Sequence, residues 1–489
     1  MRVILLNFIF RPHNIGHPER ESDYEGWFIW CSRFILCFGI VCANAMRNKF
    51  SKVAFLLVLF FLQAIISRAQ IVTAIAAGVS HSLLLKSDGS LWAMGQNTFG
   101  QLGTGNYLQP NTPRKILPSG VTAIAADNYY SLFLKNDGSL WAMGDNGYGQ
   151  LGDGSLNSTN APEKIVASGV TAIAAGGGHS LFLKSDGSLW GMGYNNYGQL
   201  GDGTFNSTNL PEQIVASGVT AIAAGGSHSL FLKSDGSLWA MGWDGNGQLG
   251  DGTLNSTNLP EQILPNDVTA IAAGANHSLF IMSDGSLWAM GNNTYGQLGV
   301  GTGGGSIFPR EVTGNVTVMT AGNFHSLFLK NDGSLWAMGY NLYGQLGNGT
   351  NNSLANSFPI QIVPNGVTAV AGGLGGLGGT HSLFIKSDGS LWGMGNNAYG
   401  QLGTGTYVNT NRPQQILIAS TVTNPPPVLG ISTYQNQPMV FFPTATGTNY
   451  VLQMTTNLTL PNWVNVMGGI SISGVQVTNA PSTAFFRLH

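Results

Sequence analysis

Cysteine is almost missing from this chain. Its 489 residues hold three, Cys31, Cys37 and Cys42, and all of them precede Met46. A chain starting at Met46 has no thiol and no disulfide, so an extracytoplasmic body of this size must rest on core packing and hydrogen bonds. Charge is also scarce. Only 9% of residues are charged, which excludes a basic nucleic-acid binder and a charged disordered tail. Of the 20 Lys+Arg, 8 precede Gln70 and 12 remain, against 18 Asp+Glu, for a net charge of −6. That mildly acidic balance speaks against nucleic acid or anionic lipid as partner. Long apolar runs are lacking too. A membrane span takes about 20 apolar residues, and neither Phe28 to Val41 nor Val53 to Ile66 reaches that length, so no span is expected in the mature chain. The overall hydrophobic content of 43% is still ample for a core.

The second apolar run has a specific setting. A short basic region, Met46-Arg47-Asn48-Lys49-Phe50-Ser51-Lys52, precedes it, and Ser67-Arg68-Ala69 follows with small residues where a signal peptidase reads. This pattern predicts a signal peptide over residues 46–69, cut after Ala69, with translation starting at Met46 and residues 1–45 a mis-assigned upstream region. The mature protein is then expected outside the cytoplasm, secreted or at the cell surface.

What fills the rest is repetition. Trp92, Trp141, Trp190, Trp239, Trp288, Trp336 and Trp392 recur at spacings of 49, 49, 49, 49, 48 and 56 residues. A period in that range made of short strand-like pieces marks a propeller or solenoid. In the third copy, Val170 to Ala175 alternates β-branched and small residues, as suits a crowded inner strand, and His179 to Lys184 follows as a second strand. Ser185-Asp186-Gly187-Ser188 reads as a hairpin, because Gly accepts the positive φ such turns need. Leu189 to Gly193 returns, and a polar loop leads to a fourth strand over Pro211 to Val215. Four antiparallel strands make a blade whose faces only its neighbours can cover. The expected architecture is all-β: a seven-bladed β-propeller over residues 70–420, a Pro-rich linker at 421–427, and a small β-sandwich-like domain at 428–489. The array begins with an inner strand and ends with an outer one, Arg412 to Leu417. If that strand pairs with the first blade, both termini close the ring.

The segments His-Ser-Leu, Asp-Gly-Ser-Leu-Trp and Tyr-Gly-Gln-Leu-Gly-x-Gly, the last as in Tyr197 to Gly203, resemble the RCC1-type repeat family (regulator of chromosome condensation repeats). Its bacterial members include β-lactamase inhibitor protein II. The resemblance spans about residues 70–420. It implies a propeller that binds other proteins and does no covalent chemistry of its own. The nucleotide-exchange role of the eukaryotic founder on chromatin fits poorly with a secreted acidic chain, whereas a secreted member that grips enzymes with one face of its ring fits well.

Repetition itself weighs against catalysis, since a nucleophile–base set is a unique constellation. His81, His179, His228, His277, His325 and His381 occupy one repeat position, with Tyr130 in the second copy. A sevenfold ring spreads these side chains instead of converging four on a zinc ion, so they are expected to tie each blade to the next. Asp153, Asp202 and Asp251 each precede a Gly in Asn/Thr-rich loops, a calcium-like setting. They are single carboxylates replaced by Thr104, Val300, Asn348 and Thr404 elsewhere. No metal, cofactor or catalytic residue is therefore expected.

Function must lie where the copies differ. The loop after the inner strand and the loop after the Trp strand should share one face, with the Asp-Gly turns on the other. Aromatic departures gather on the loop face at Tyr129, Tyr130, Tyr194, Trp243, Phe324 and Tyr340, and the seventh copy adds a Gly/Leu insertion there with Leu374 and Leu377. Aromatics anchor protein interfaces and sugar-stacking surfaces alike. These eight residues are the candidate partner contacts of a secreted, monomeric, non-enzymatic protein-binding propeller. Two alternatives stay open: a carbohydrate-binding or carbohydrate-processing surface protein, and a structural surface protein anchored by its C-terminal domain. A strongly shifted carboxylate in the mouth of the ring would favour processing.

Overall fold

The computed structural model describes residues 71–374 and 381–417, together with six short strands between 430 and 488. The expected leader, the linker at 421–427, Leu377 and the rest of 428–489 lie outside the described residues. Seven four-stranded antiparallel sheets follow one another along the chain, each built from consecutive strands. Among the described residues there is no helix, and none long and apolar enough to cross a membrane.

The third blade shows why this sequence makes such a unit. Its strands are Val170–Ala175, His179–Lys184, Leu189–Gly193 and Thr208–Val215. The second strand is buried on both faces except at its final lysine, because a neighbouring blade covers each side. Phe182 pairs across to Ile173 and to Trp190, and its ring stacks on the indole at 6.0 Å. Lys184 Nζ stands 3.8 Å from the centre of the same indole, a cation–π contact that closes its outer side. The hairpin between them is a turn plus one left-handed residue, with Gly187 at φ 75°. Asp186 Oδ1 accepts hydrogen bonds from Ser188 N at 2.9 Å and Ser188 Oγ at 2.6 Å. Turn chemistry therefore accounts for the repeated aspartates. The outer strand starts at Thr208, earlier than the apolar pattern indicates, and it accommodates Pro211 because an edge strand needs no donor there.

The cores lie between blades rather than within them. Leu132, Leu134 and Leu140 of the second blade pack with Phe182 and Met192 of the third, and the same arrangement repeats around the ring. Closure differs from the strand exchange considered above. The last strand, Thr410–Leu417, pairs with Leu391–Gly395 of its own blade, Leu391 opposite Leu417, while the first blade carries its own outer strand, Arg114–Leu117. Each unit already holds four strands in order, so none is borrowed. Blade-to-blade contacts close the ring instead: Val72, Leu84 and Met94 pack against Ile385 and Leu391, and hydrogen bonds such as Ser82 Oγ to Gln401 O at 2.7 Å cross the junction.

The C-terminal strands form a separate unit. Gly430–Tyr434, Gln437–Phe441 and Val475–Gln476 make one three-stranded sheet, and Val464–Asn465, Leu452–Thr455 and Phe485–Leu488 make another.

Candidate protein-binding face

Two sets of loops meet on one face, as the strand directions require. The residue after the Trp strand donates its backbone N–H to the carbonyl of the residue just before the second strand of the same blade: Gln96 N to Ser80 O at 2.8 Å, Tyr194 N to Gly178 O at 2.8 Å. The Asp-Gly turns lie at the opposite ends of the strands, where Gly89 O accepts from Val121 N of the next blade at 3.0 Å.

Polar residues that repeat within this face are structural. Asn195 Oδ1 accepts from Leu200 N at 2.9 Å, its Nδ2 donates to Asp202 Oδ1 at 3.0 Å, and Gln199 Oε1 accepts from Tyr197 N at 3.1 Å. In six of the seven copies such a buried amide pair braces the long loop. The histidines tie the blades together. His81 Nε2 lies 2.9 Å from Ser131 Oγ, His179 Nε2 2.9 Å from Ser229 Oγ, and so around to His381 and Ser82. Each serine hydroxyl donates to a glutamine carbonyl, Ser229 Oγ to Gln199 O at 2.7 Å, so Nε2 must carry the proton that Oγ accepts. Burial without a countercharge drives these rings down to about 3, and His325 to about 4; they are neutral fasteners.

The second blade departs from this scheme, and one site candidate falls with it. Tyr130 is fully buried. Its hydroxyl donates to His179 O at 2.6 Å and accepts from Gly176 N at 3.0 Å. It fills the histidine position and fastens the second blade to the third, so it cannot touch a partner. A second substitution accompanies it. A Cβ on Gly78 would stand 2.4 Å from His81 Cε1, so an imidazole demands glycine three residues earlier. With Tyr130 in place that restriction lapses, and the position holds Asp127, fully buried and with Oδ2 unpartnered.

Burial raises the Asp127 carboxyl to about 8, and burial raises Asp244 to about 7, with Asp251 and Glu261 adding to the effect. Such shifts would suit a general acid. Both side chains are sealed from solvent, however, and a catalytic carboxyl must reach its substrate.

Leu374 also needs correction. It is 9% exposed, because the chain just before it is drawn into the ring: Gly373 N donates to His381 O, and Asn323 N to Gly373 O, each at 2.9 Å.

The remaining candidates do come together, through residues the copy-to-copy differences did not single out. Tyr148 meets Tyr194 at 4.7 Å between ring centres, Tyr194 meets Tyr197 at 6.0 Å, and Tyr197 meets Trp243 at 6.0 Å. These rings run unbroken across blades two to four. A second group joins Tyr295 to Phe324 at 5.1 Å and to Tyr340 at 4.7 Å, and Phe99 meets Tyr129 at 5.1 Å. The two longer groups are separated where the fourth copy has Asn246, which accepts from Asn292 Nδ2 at 2.9 Å. Every linking ring is the aromatic of the Tyr-Gly-Gln-Leu-Gly segment. Tyr148 is 50% exposed and Tyr197 41%, so the belt packs on itself in tilted and edge-on contacts and still offers aromatic surface to solvent. Beside it, an open cleft of about 510 Å³ is lined by Tyr148, Leu156, Asp202, Asn206, Asn209 and Glu212, among others.

A family model described as the RCC1-like domain matches residues 58–267 and 167–433. No curated protein matches the chain. Among solved structures, human WBSCR16 superposes with a TM-score of 0.60 at 24% identity, covering 67% of this chain and 94% of its own. Yeast RCC1 (Prp20), solved bound to Kap60, superposes with a TM-score of 0.60 at 22% identity, over 74% of this chain and 87% of its own. A second structure of Prp20p from Saccharomyces cerevisiae, described with its binding to Gsp1p and histones, gives 0.60 and 22% over 74% and 90%. These likenesses are likenesses of fold.

Proposed function

Since the chain belongs to the RCC1-like domain family, we propose that it is a non-enzymatic binding propeller that works outside the cytoplasm and grips a protein partner with its loop face. The observation that carries this reading is the unbroken row Tyr148–Tyr194–Tyr197–Trp243. Half-exposed aromatics on rigid loops lose little side-chain freedom on binding and supply large contact areas, which is why such residues dominate interface energetics. Yeast RCC1 (Prp20), which shares the fold, was solved bound to a protein, Kap60, and is described as binding Gsp1p and histones. Extracytoplasmic placement is supported by the leader-like segment at 46–69 and by the absence of cysteine beyond it. The non-enzymatic reading is supported by the burial of the two carboxyls raised to about 7 and 8.

A carbohydrate reading has one observation in its favour: the cleft beside Tyr148 combines an aromatic platform with amide and carboxylate side chains, the chemistry of sugar stacking and hydroxyl recognition. Affinity capture from native extracellular medium separates the two. Wild type should retain a protein that the triple variant Tyr194→Ala, Trp243→Ala, Tyr340→Ala loses. Equal recovery of proteins by both would remove the loop-face proposal, and retention of polysaccharide alone would favour the sugar reading.

A further inference from the structure

One copy breaks the polar pattern of the long loop. Six copies place asparagine there, Asn97, Asn146, Asn195, Asn293, Asn341 and Asn397, and the fourth places Asp244. The asparagine does two jobs. Its Oδ1 accepts from a leucine N–H, and its Nδ2 sits inside a cage of oxygen acceptors. In the second copy these are Asp153 Oδ1 at 3.0 Å and Ser155 O at 3.1 Å; in the third, Asp202 Oδ1 at 3.0 Å and Thr204 O at 3.3 Å.

Asp244 keeps the first job, with Oδ1 accepting from Leu249 N at 2.8 Å. It cannot do the second. Its Oδ2 replaces an N–H₂ donor with another acceptor and is buried without a hydrogen-bond partner. The cage is unchanged, since Asp251-Gly252-Thr253 repeats Asp202-Gly203-Thr204. Thr253 supplies no hydrogen to Asp244 either. Its N–H goes to Asp251 Oδ1 at 2.7 Å and its hydroxyl to Asp251 Oδ2 at 3.0 Å. Asp251 acts directly on the Asp244 carboxyl, and by the repeat the Thr253 carbonyl takes the place of Ser155 O and Thr204 O, so oxygen acceptors surround Asp244 Oδ2 where the other copies have an N–H₂ donor.

We propose that a divalent cation of the calcium type binds here, held by Asp244 and Asp251 with the Thr253 carbonyl, and occupies the role that the asparagine N–H₂ plays in the other blades. Oxygens bound to one calcium at about 2.3–2.6 Å stand roughly 3 Å apart, close to the 3.0–3.3 Å that separates the sister amide nitrogen, whose place Asp244 Oδ2 takes, from its acceptors. The donor set is all oxygen, which selects a hard cation. Among the described residues no group of three or more His, Cys, Asp or Glu is placed to hold a metal ion, so the ligands beyond the two carboxylates are the Thr253 carbonyl and water. Asp244 itself is buried, but Asp251 is half-buried and Thr253 exposed, so an ion with its completing waters approaches the cage from the Asp251 and Thr253 side, and the carboxylate of Glu261 strengthens the negative field.

Terbium tests this directly, because Trp243 adjoins Asp244 and can sensitise its emission. The full chain at pH 8 should show tryptophan-excited terbium luminescence that calcium displaces. Calcium at millimolar concentration should raise Tm by about 2–3 °C over chelator. Asp244→Asn restores the residue of the other six copies, so it should fold, lose the luminescence and melt at one temperature with or without calcium. The proposal is overturned if wild type melts identically in calcium and chelator and gains stability only on acidification, which would mean a proton shared by the two carboxyls. It is also overturned if Asp244→Asn keeps the calcium response.

Discussion

His381 Nε2 lies 2.9 Å from Ser82 Oγ, and that contact joins the two ends of the repeat array. The same serine donates to Gln401 O at 2.7 Å. With no strand shared between the first and last blades, the ring is held shut by this pair, by the apolar packing around Val72 and Ile385, and by two hydrogen bonds between Asn111 and Gly405, Gly405 N to Asn111 O at 2.8 Å and Asn111 Nδ2 to Gly405 O at 2.9 Å. Ser82→Ala strands a buried imidazole N–H and a buried carbonyl together, and should cost about 2–3 kcal/mol. Urea unfolding measures this. A loss under about 0.5 kcal/mol would mean that packing and the Asn111–Gly405 hydrogen bonds close the ring without this contact.

The histidine fasteners make the propeller acid-sensitive. Their folded-state values near 3 to 4 lie below the 6.5 of a free imidazole, so the unfolded chain takes up protons first. Stability is therefore full above about pH 6.5 and is lost as pH falls toward 3, with each histidine giving up about 2 kcal/mol by pH 5. Denaturation at pH 7 and pH 5 should differ by several kcal/mol. A flat profile over that interval would contradict neutral, buried rings.

Asp127 acts in the opposite sense. Its carboxyl, held near 8 by burial, favours the protonated form in the folded state, so its destabilising effect grows as pH rises from about 4 to 8. Asp127→Gly with Tyr130→His restores the arrangement of the other copies. It should gain about 2–3 kcal/mol at pH 8 and less at pH 5. Asp127→Gly alone opens a void beside Tyr130 and should gain less than the pair. A double variant less stable than wild type at pH 8 would show that Asp127 is satisfied by a group other than those described.

Much of this was legible in the chain before any coordinates. The tryptophan period and the Asp-Gly turns specify blades and their two faces, and six recurring histidines announce interblade fasteners. Ring closure was not legible, because Thr410–Leu417 could pair with either the seventh or the first blade without changing any local pattern. Tyr130 was misplaced as a surface aromatic although it stands in the histidine position, and a side chain in that position points into the neighbouring blade. Tyr148 and Tyr197 are hard to recognise in the sequence for the opposite reason. They recur in nearly every copy, and recurrence suggests structure, yet they bridge the variable rings Tyr194 and Trp243 into one row. The link between Asp127 and Tyr130 depends on how closely an imidazole approaches a glycine Cα, a distance that no residue pattern encodes.

The affinity of the captured partner for Tyr197→Ala, set against Leu210→Ala on the exposed outer strand, tests the central claim most directly. Tyr197 links Tyr194 to Trp243 at the middle of the row, so its removal should weaken binding about 30-fold or more, the loss of a central aromatic anchor of roughly 2 kcal/mol. Leu210→Ala should bind as wild type does. Unchanged affinity for Tyr197→Ala would contradict recognition through the aromatic row.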